Sequence, residues 1–373
     1  MNILYTFDDK FAPVAGVSIL SLFENNKDAD EINVYIVEND VSDANKQRLI
    51  KLQNDYERKI IFKDAPDVEK IAGTTIGLIN NRWPLANFFR LFISSILPAD
   101  MEKIIYLDCD TIIRSSIAGL WNMEQGKSVI SGVRVYRKLF DDTGKYIYLK
   151  KRDTYINAGV MLINLDLWRL YNVEEKFIKF IRLIDGKTLH GKNQGIINSV
   201  LKGFIGTIDP TYNYRITENK NFSHPKDRKR ISQIQRDNNP VIAHYIAIGE
   251  RIDKYKSAFN IALSDDWYKW KEMSPWKDLP LDYLRAQDEV PQSLPNKNQT
   301  KDKKTLRSSL LSFTERKCKP VFNLLNSFGS YRKFFLKNAQ IIFIQPLHIR
   351  KYNKHRQKIT GINIKDCRIG KRT

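Results

Sequence analysis

The sequence predicts an α/β fold built on a mixed, mostly parallel sheet flanked by helices, followed by a basic C-terminal tail. Three observations lead there. Short apolar runs alternate with longer stretches of helical periodicity across residues 1–265, the pattern of βαβ units. Carboxylates stand where some of those runs end, at Asp8 and Asp9 and again at Asp108 and Asp110, and in such sheets ligands bind beyond the carboxyl ends of the strands. A composition of 42% hydrophobic and 28% charged residues is that of a globular chain, and 373 residues suffice for one large domain or two ordinary ones.

In chain order, "NILYTF" reads as a strand and "APVAGVSILSLFENN" as a helix with apolar residues at helical spacing. "EINVYIVEND" is a second strand, "SDANKQRLIKLQNDY" a helix and "KIIFKDA" a third strand. "LANFFRLFISSIL" is expected to form a helix and "KIIYLDCDTII" one continuous strand. Strands "SVISGVRV" and "YINAGVMLINLDLW" follow, then helices around "EEKFIKFIRLI" and "QGIINSVLKG", and a strand in "PVIAHYI". No internal repeat interrupts this order. The aromatic segment from Asp265 closes the folded unit, which is expected to span residues 1–275. The Pro-, Asn- and Lys-rich stretch that follows reads as a linker over 276–300.

The net charge of +20 is mostly local. Residues 297–373 hold 20 Lys and Arg against Asp302, Glu315 and Asp366, a net +17, which leaves about +3 for residues 1–296. The tail, 301–373, places Tyr331, Phe335, Ala339 and Ile342 at helical spacing, with a basic cluster from Arg350 to Lys358. That is the composition of an interfacial helix with a polybasic extension. Without a recognised module, the basic tail is not read as a nucleic-acid-binding region. Three scattered cysteines and no C-x-x-C make neither a disulfide framework nor a zinc site, and suit a reducing compartment. No signal peptide or membrane span is expected, because no basic leader precedes an apolar core and no apolar run approaches about 18 residues.

The chemistry concentrates at "IIYLDCDTII". Side chains at i and i+2 of a strand share a face, so Asp108 and Asp110 aim at one place. Hard carboxylate oxygens suit Mg²⁺ or Mn²⁺, ions that bridge to phosphates. Three readings of the pair are open on its own residues: a loop cap after a strand, the aspartyl nucleophile of a D-x-D-x-T phosphatase, or the metal site of a nucleotide-sugar transferase. About a hundred residues of βα pattern precede the pair, whereas the phosphatase motif normally opens its domain.

Six pieces in order, "ILYTFDDKFAP", "FFRLFISSIL", "KIIYLDCDTIIRSSIAGLW", "YINAGVMLINLDLWR", "NQGIIN" and "HY" at His244–Tyr245, resemble family 8 glycosyltransferases over roughly residues 1–250. Within that family the resemblance is to bacterial lipopolysaccharide galactosyl- and glucosyltransferases. It implies a Rossmann-like, nucleotide-sugar-binding GT-A domain and a retaining, metal-dependent transfer of a hexose from a UDP-sugar to a surface glycan or glycolipid. By the same resemblance Thr6, Asp8 and Phe11 line the uracil and ribose site, and Arg90 contacts the donor. Asp108, Asp110 and His244 hold Mn²⁺ or Mg²⁺ against the diphosphate. Asn157 bonds the sugar, Ala158 and Gly159 let the backbone come close, and Gln194 lies beside the anomeric carbon. The chain departs from the family pattern in three places. Asn193-Gln194-Gly195 stands for D-Q-D, "HYIAIGERIDKY" lacks K-P-W so that Arg251 or Lys254 is expected to meet the diphosphate, and Arg134 stands where an acceptor-contacting Asp is common. Those departures leave a second expectation open, a non-catalytic sugar-nucleotide-binding accessory protein. The expected partners are a UDP-sugar, a glycan or lipid-linked acceptor and an anionic membrane surface, on the inner face of the cytoplasmic membrane.

Overall fold

Seven strands form the main sheet in the order β3-β2-β1-β4-β7-β6-β8, and a second sheet has the order β5-β10-β9. The computed structural model describes residues 1–72, 86–135, 149, 153–184, 192–216, 224–246 and 258–279. Arg251, Lys254, the expected linker beyond 279 and the whole basic tail lie outside the described residues. In the main sheet β1 (Asn2–Asp8), β2 (Asn33–Asn39), β3 (Lys59–Asp64) and β4 (Lys103–Leu107) run parallel. β7 (Ile156–Asn164) is antiparallel to both β4 and β6 (Ile130–Arg134), while β8 (Ile205–Thr207) is parallel to β6. The sheet is therefore mixed and mostly parallel, as the alternation predicts. β5 (Thr111–Ile113), β9 (Tyr214–Arg215) and β10 (Ile242–His244) make up the second sheet.

Helix α1 (Ala12–Glu24) explains how the two sheets share one core. It is apolar nearly all round, and twelve consecutive residues from Ala12 to Phe23 are buried, as befits a helix enclosed on every side. Ala15, Ile19 and Phe23 pack with Ile3, Ile36 and Ile105 of the main sheet. Val14 and Val17 pack with Ile112, Ala243 and Trp267 on the other side. Its polar residues face β5: Ser21 Oγ accepts the Ile113 N–H at 3.0 Å, and Asn25 Nδ2 donates to the Ile113 carbonyl at 3.0 Å. Side chains thus satisfy a strand edge that would otherwise be left without partners. Helix α2 (Asp43–Asp55) is capped by Ser42 and covers the same core with Leu49 and Leu52.

Three expectations need correction. "KIIYLDCDTII" is two strands, β4 and β5, in different sheets; the acids occupy the turn between them, with Thr111 Oγ1 closing it on the Asp108 carbonyl at 2.8 Å. Among the described residues of "LANFFRLFISSIL" only Ala86–Phe89 is helical. The Glu174 carboxylate takes the Ser94 N–H and hydroxyl at 2.6 and 2.8 Å and the Ser95 N–H at 3.3 Å, holding a turn where helical hydrogen bonds would continue. The boundary at residue 275 falls inside the core. Trp276 is fully buried, its ring so close to α1 that a Cβ on Gly16 would lie 1.9 Å from it. Its indole N–H donates to Asn45 Oδ1 at 2.7 Å, and Leu279 packs on the same cluster. No helix among the described residues is long and apolar enough to cross a membrane.

Candidate active site

The turn between β4 and β5 lies at the carboxyl end of β4, beside the end of β1 and the start of β7. Its backbone is fixed from both sides: the Asp108 N–H donates to the Gly159 carbonyl, and the Asp110 carbonyl accepts from the Tyr245 N–H, each at 2.7 Å. The carboxylates of Asp108 and Asp110 meet His244 from β10, the three offering ligand atoms all within 4.8 Å of one another. His244 Nε2 is 3.1 Å from Asp110 Oδ1 and 3.7 Å from Asp108 Oδ2. Burial works against a charged imidazole here, but the carboxylates of Asp110 and Asp108 outweigh it and raise the His244 pKa. A divalent ion and a proton compete for such a nitrogen, and two carboxylate oxygens with an imidazole fit Mn²⁺ or Mg²⁺. Cys109, between the acids, packs against the core, and burial pushes its thiol well above the ordinary range, away from thiolate chemistry.

Arg90 is the cation that Asp108 meets directly. The guanidinium is 5% exposed and lies 2.8 Å from Asp108 Oδ1. It also donates to the Ala158 carbonyl at 3.1 Å and sits over the Tyr106 ring, 4.3 Å from its centre. Tyr106 donates its hydroxyl to the same Oδ1 at 2.9 Å and lies 3.3 Å from Thr6 Oγ1. One oxygen of Asp108 is therefore engaged by Arg90 and Tyr106, and the other is turned to His244. Arg215, whose Cα pairs with that of His244, brings a second cation close enough to oppose protonation of the imidazole. Burial lowers its own pKa to about 10.

Gly159 is a spacer for this cluster. A Cβ there would stand 2.2 Å from His244 Cε1 and 2.7 Å from Asp108 Oδ2. Beside it, Asn157 Nδ2 and the Ala158 N–H both donate to Gln194 Oε1 at 3.1 Å, and Gln194 Nε2 donates to the Tyr155 hydroxyl at 3.1 Å. Asn213, 2% exposed at the end of the 3-10 turn Pro210–Asn213, lies between Asn157 and His244.

Of the residues marked in the sequence, Asp108, Asp110, His244, Arg90, Asn157 and Gln194 come together in one hydrogen-bonded neighbourhood. Thr6 joins it through Tyr106. Asp8 caps the turn after β1 by accepting the Phe11 N–H at 3.2 Å, and burial pushes its carboxyl up. Phe11 is partly buried and packs against both core clusters. Asn193, in the place of an acid, binds the carbonyl of Asn87 and accepts the Gln194 N–H. Arg134 is not presented alone to an acceptor: it makes a two-pronged pair with the buried Asp227, Nε to Oδ2 at 3.1 Å and Nη2 to Oδ1. Asn213 and Arg215 carry no motif that would single them out in the sequence, and Tyr106, although inside "KIIYLDCDTII", reads there as one more apolar strand residue.

The sequence pattern of glycosyl transferase family 8 matches residues 2–250. A putative glycosyltransferase of Haemophilus influenzae is 29% identical over 223 residues, which are 58% of this chain and 64% of that protein. The match thus spans just under two thirds of that relative. A lipopolysaccharide 1,2-glucosyltransferase of Escherichia coli K12 is 25% identical over 74% of this chain and 79% of its own length. Among solved structures, the galactosyltransferase LgtC in complex with donor and acceptor sugar analogues superposes with a TM-score of 0.61 and 20% identity, covering 74% of this chain and 96% of its own. At that identity the likeness is one of fold.

Proposed function

The chain belongs to glycosyl transferase family 8, and on that premise we propose that it moves a hexose, glucose or galactose, from a UDP-sugar to a surface glycan or glycolipid such as lipopolysaccharide, with retention of configuration. One observation carries the reading. Two carboxylates and a buried imidazole converge beyond the carboxyl ends of the strands, directly beside the amides of Asn157 and Gln194. Two carboxylates beside an imidazole make a ligand set of the kind a divalent ion takes. Asp108, Asp110 and His244 would hold Mn²⁺ or Mg²⁺, and the ion would supply Lewis-acid stabilisation to a departing diphosphate.

The rest is the work of the chain's own residues. Thr6, Asp8 and Phe11 receive the uracil and ribose, and Arg90, already fixed by Asp108 and Tyr106, faces the donor without further ordering. Arg215, with Arg251 and Lys254 from outside the described residues, adds positive charge for the diphosphate. Asn157 bonds the transferred sugar. Gln194 has both ends of its amide engaged and offers no carboxylate for a covalent intermediate of the retaining-hydrolase kind. The acceptor hydroxyl then attacks from the face that UDP leaves: the anomeric C–O bond to the diphosphate breaks as the new glycosidic bond forms, and the hydroxyl proton passes to the departing diphosphate oxygen. An α-linked donor is therefore expected to yield an α-linked product, and a β anomer in the product's NMR spectrum would overturn this course.

The second reading, a non-catalytic sugar-nucleotide-binding protein, draws on the missing K-P-W and on Asn193 and Gly195 in place of acids. Metal-dependent release of UDP separates the two.

The basic tail belongs to the same proposal as an anchor on the inner face of the cytoplasmic membrane, where a lipid-linked acceptor would lie. Each Lys or Arg near an anionic leaflet contributes about 1 kcal/mol, so a handful of the 20 suffices. A chain ending near Pro295 keeps Trp276 and Leu279. It is expected to stay folded and cleave UDP-sugar yet no longer sediment with anionic liposomes; a full-length chain that ignores such liposomes at low salt refutes the anchor.

A further inference from the structure

We infer that Asn213 is a positioning residue: its amide oxygen holds the proton of a neutral His244 on Nδ1 and leaves Nε2 bare toward Asp108 and Asp110. The inference rests on the metal reading above. Side-chain amides and imidazoles do not reveal their own polarity, but two backbone N–H groups impose it here, because a main-chain N–H can only donate.

The Ala158 N–H donates to Gln194 at 3.1 Å, which makes the receiving atom Oε1 and turns Nε2 to Tyr155. The Gly159 N–H donates to Asn157 at 3.0 Å, which makes that atom Oδ1 and leaves Nδ2 for Gln194. Asn213 meets the same Asn157 Oδ1 at 2.8 Å, so it must do so through Nδ2. Its remaining atom, Oδ1, is 2.9 Å from His244 Nδ1. An amide oxygen accepts only, so Nδ1 carries the hydrogen.

With an ion held against the two carboxylates His244 is neutral and its lone pair lies on Nε2, the atom 3.1 Å from Asp110 and 3.7 Å from Asp108. The opposite tautomer would set N–H of Asn213 against a bare Nδ1 only if Asn213 turned over, and that would place Oδ1 against Oδ1 of Asn157. Gly159 completes the device, since any Cβ there would displace the ring that Asn213 orients, at 2.8 Å from Nδ1. Groups that orient a metal-binding histidine through its other nitrogen typically change metal affinity 10–100-fold when removed.

The test is a Mn²⁺ titration of the full-length chain, followed by the paramagnetic resonance of the free ion. Asn213→Ala is expected to weaken Mn²⁺ binding at least tenfold. Wild-type affinity in a folded Ala variant would overturn the assignment. Nitrogen-15 shifts of His244 in the Mg²⁺-loaded wild-type chain read the tautomer without any substitution: a hydrogen on Nδ1 supports the inference and one on Nε2 overturns it. A wild-type chain that binds no ion overturns the metal reading instead, and the same shifts taken at high pH then decide the role of Asn213 separately.

Discussion

Asp110→Asn is expected to leave the chain folded and to reduce UDP-sugar turnover by two orders of magnitude or more, about 3 kcal/mol of transition-state stabilisation. The substitution is nearly isosteric. Its structural partners survive, because the Asp110 carbonyl, which accepts the Tyr245 N–H, is untouched. The side chain is about one-fifth exposed, so losing its charge is a small insult to the fold. What the change removes is one of two carboxylates facing His244, and an amide is a much poorer ligand for a hard cation than a carboxylate. Release of UDP with and without added Mn²⁺, measured beside a thermal melt, checks both halves. A folded variant with wild-type turnover, or wild-type turnover after chelation, would mean that the acids are a strand-end turn and nothing more.

Gly159→Ala is expected to cost comparable activity by a different route. Its Cβ would meet His244 Cε1 at 2.2 Å, Asp108 Oδ2 at 2.7 Å and His244 Nδ1 at 2.8 Å. None of these can give way cheaply. The imidazole is buried and held by Asn213, and Asp108 is held by Arg90 and Tyr106. Overpacking of this kind typically costs about 1–3 kcal/mol of stability, which a melt would show as a lowered midpoint. The strain falls on the imidazole and a carboxylate at once, so Mn²⁺ affinity and turnover should fall together, while a distant stability variant with the same melting midpoint keeps both. If Gly159→Ala turns over like wild type, the close approach of strand β7 to the cluster has no functional weight.

Much of this was legible in the sequence because the signals are local. Strands β1 to β4 are short apolar runs, α1 is apolar nearly all round because it is buried on all sides, and Asp108, Asp110 and His244 sit in recognisable stretches. What was not legible depends on contacts between distant parts of the chain. Nothing around Arg90 says that its partner is Asp108; the pairing exists only because the turn after Ala86–Phe89 is drawn down onto the end of β4. Asn213 looks like an ordinary turn residue until β9 and β10 pair and bring it against His244. The error over "FFRLFISSIL" has the same origin. An apolar run has helical periodicity whether it forms a helix or a buried turn, and the deciding group is Glu174, 80 residues away. The break inside "KIIYLDCDTII" was likewise hidden, since a run that changes sheets reads like one that continues.

Metal-dependent transfer is tested most directly by release of UDP from a panel of labelled UDP-sugars by the full-length chain, with Mn²⁺ or Mg²⁺ and again after chelation. UDP-glucose or UDP-galactose is expected to be cleaved with a divalent ion present, chelation to abolish cleavage, and return of the ion to restore it. Cleavage that survives chelation would contradict the role given to Asp108, Asp110 and His244, and a folded, ion-loaded chain that cleaves no member of the panel would contradict the transferase itself.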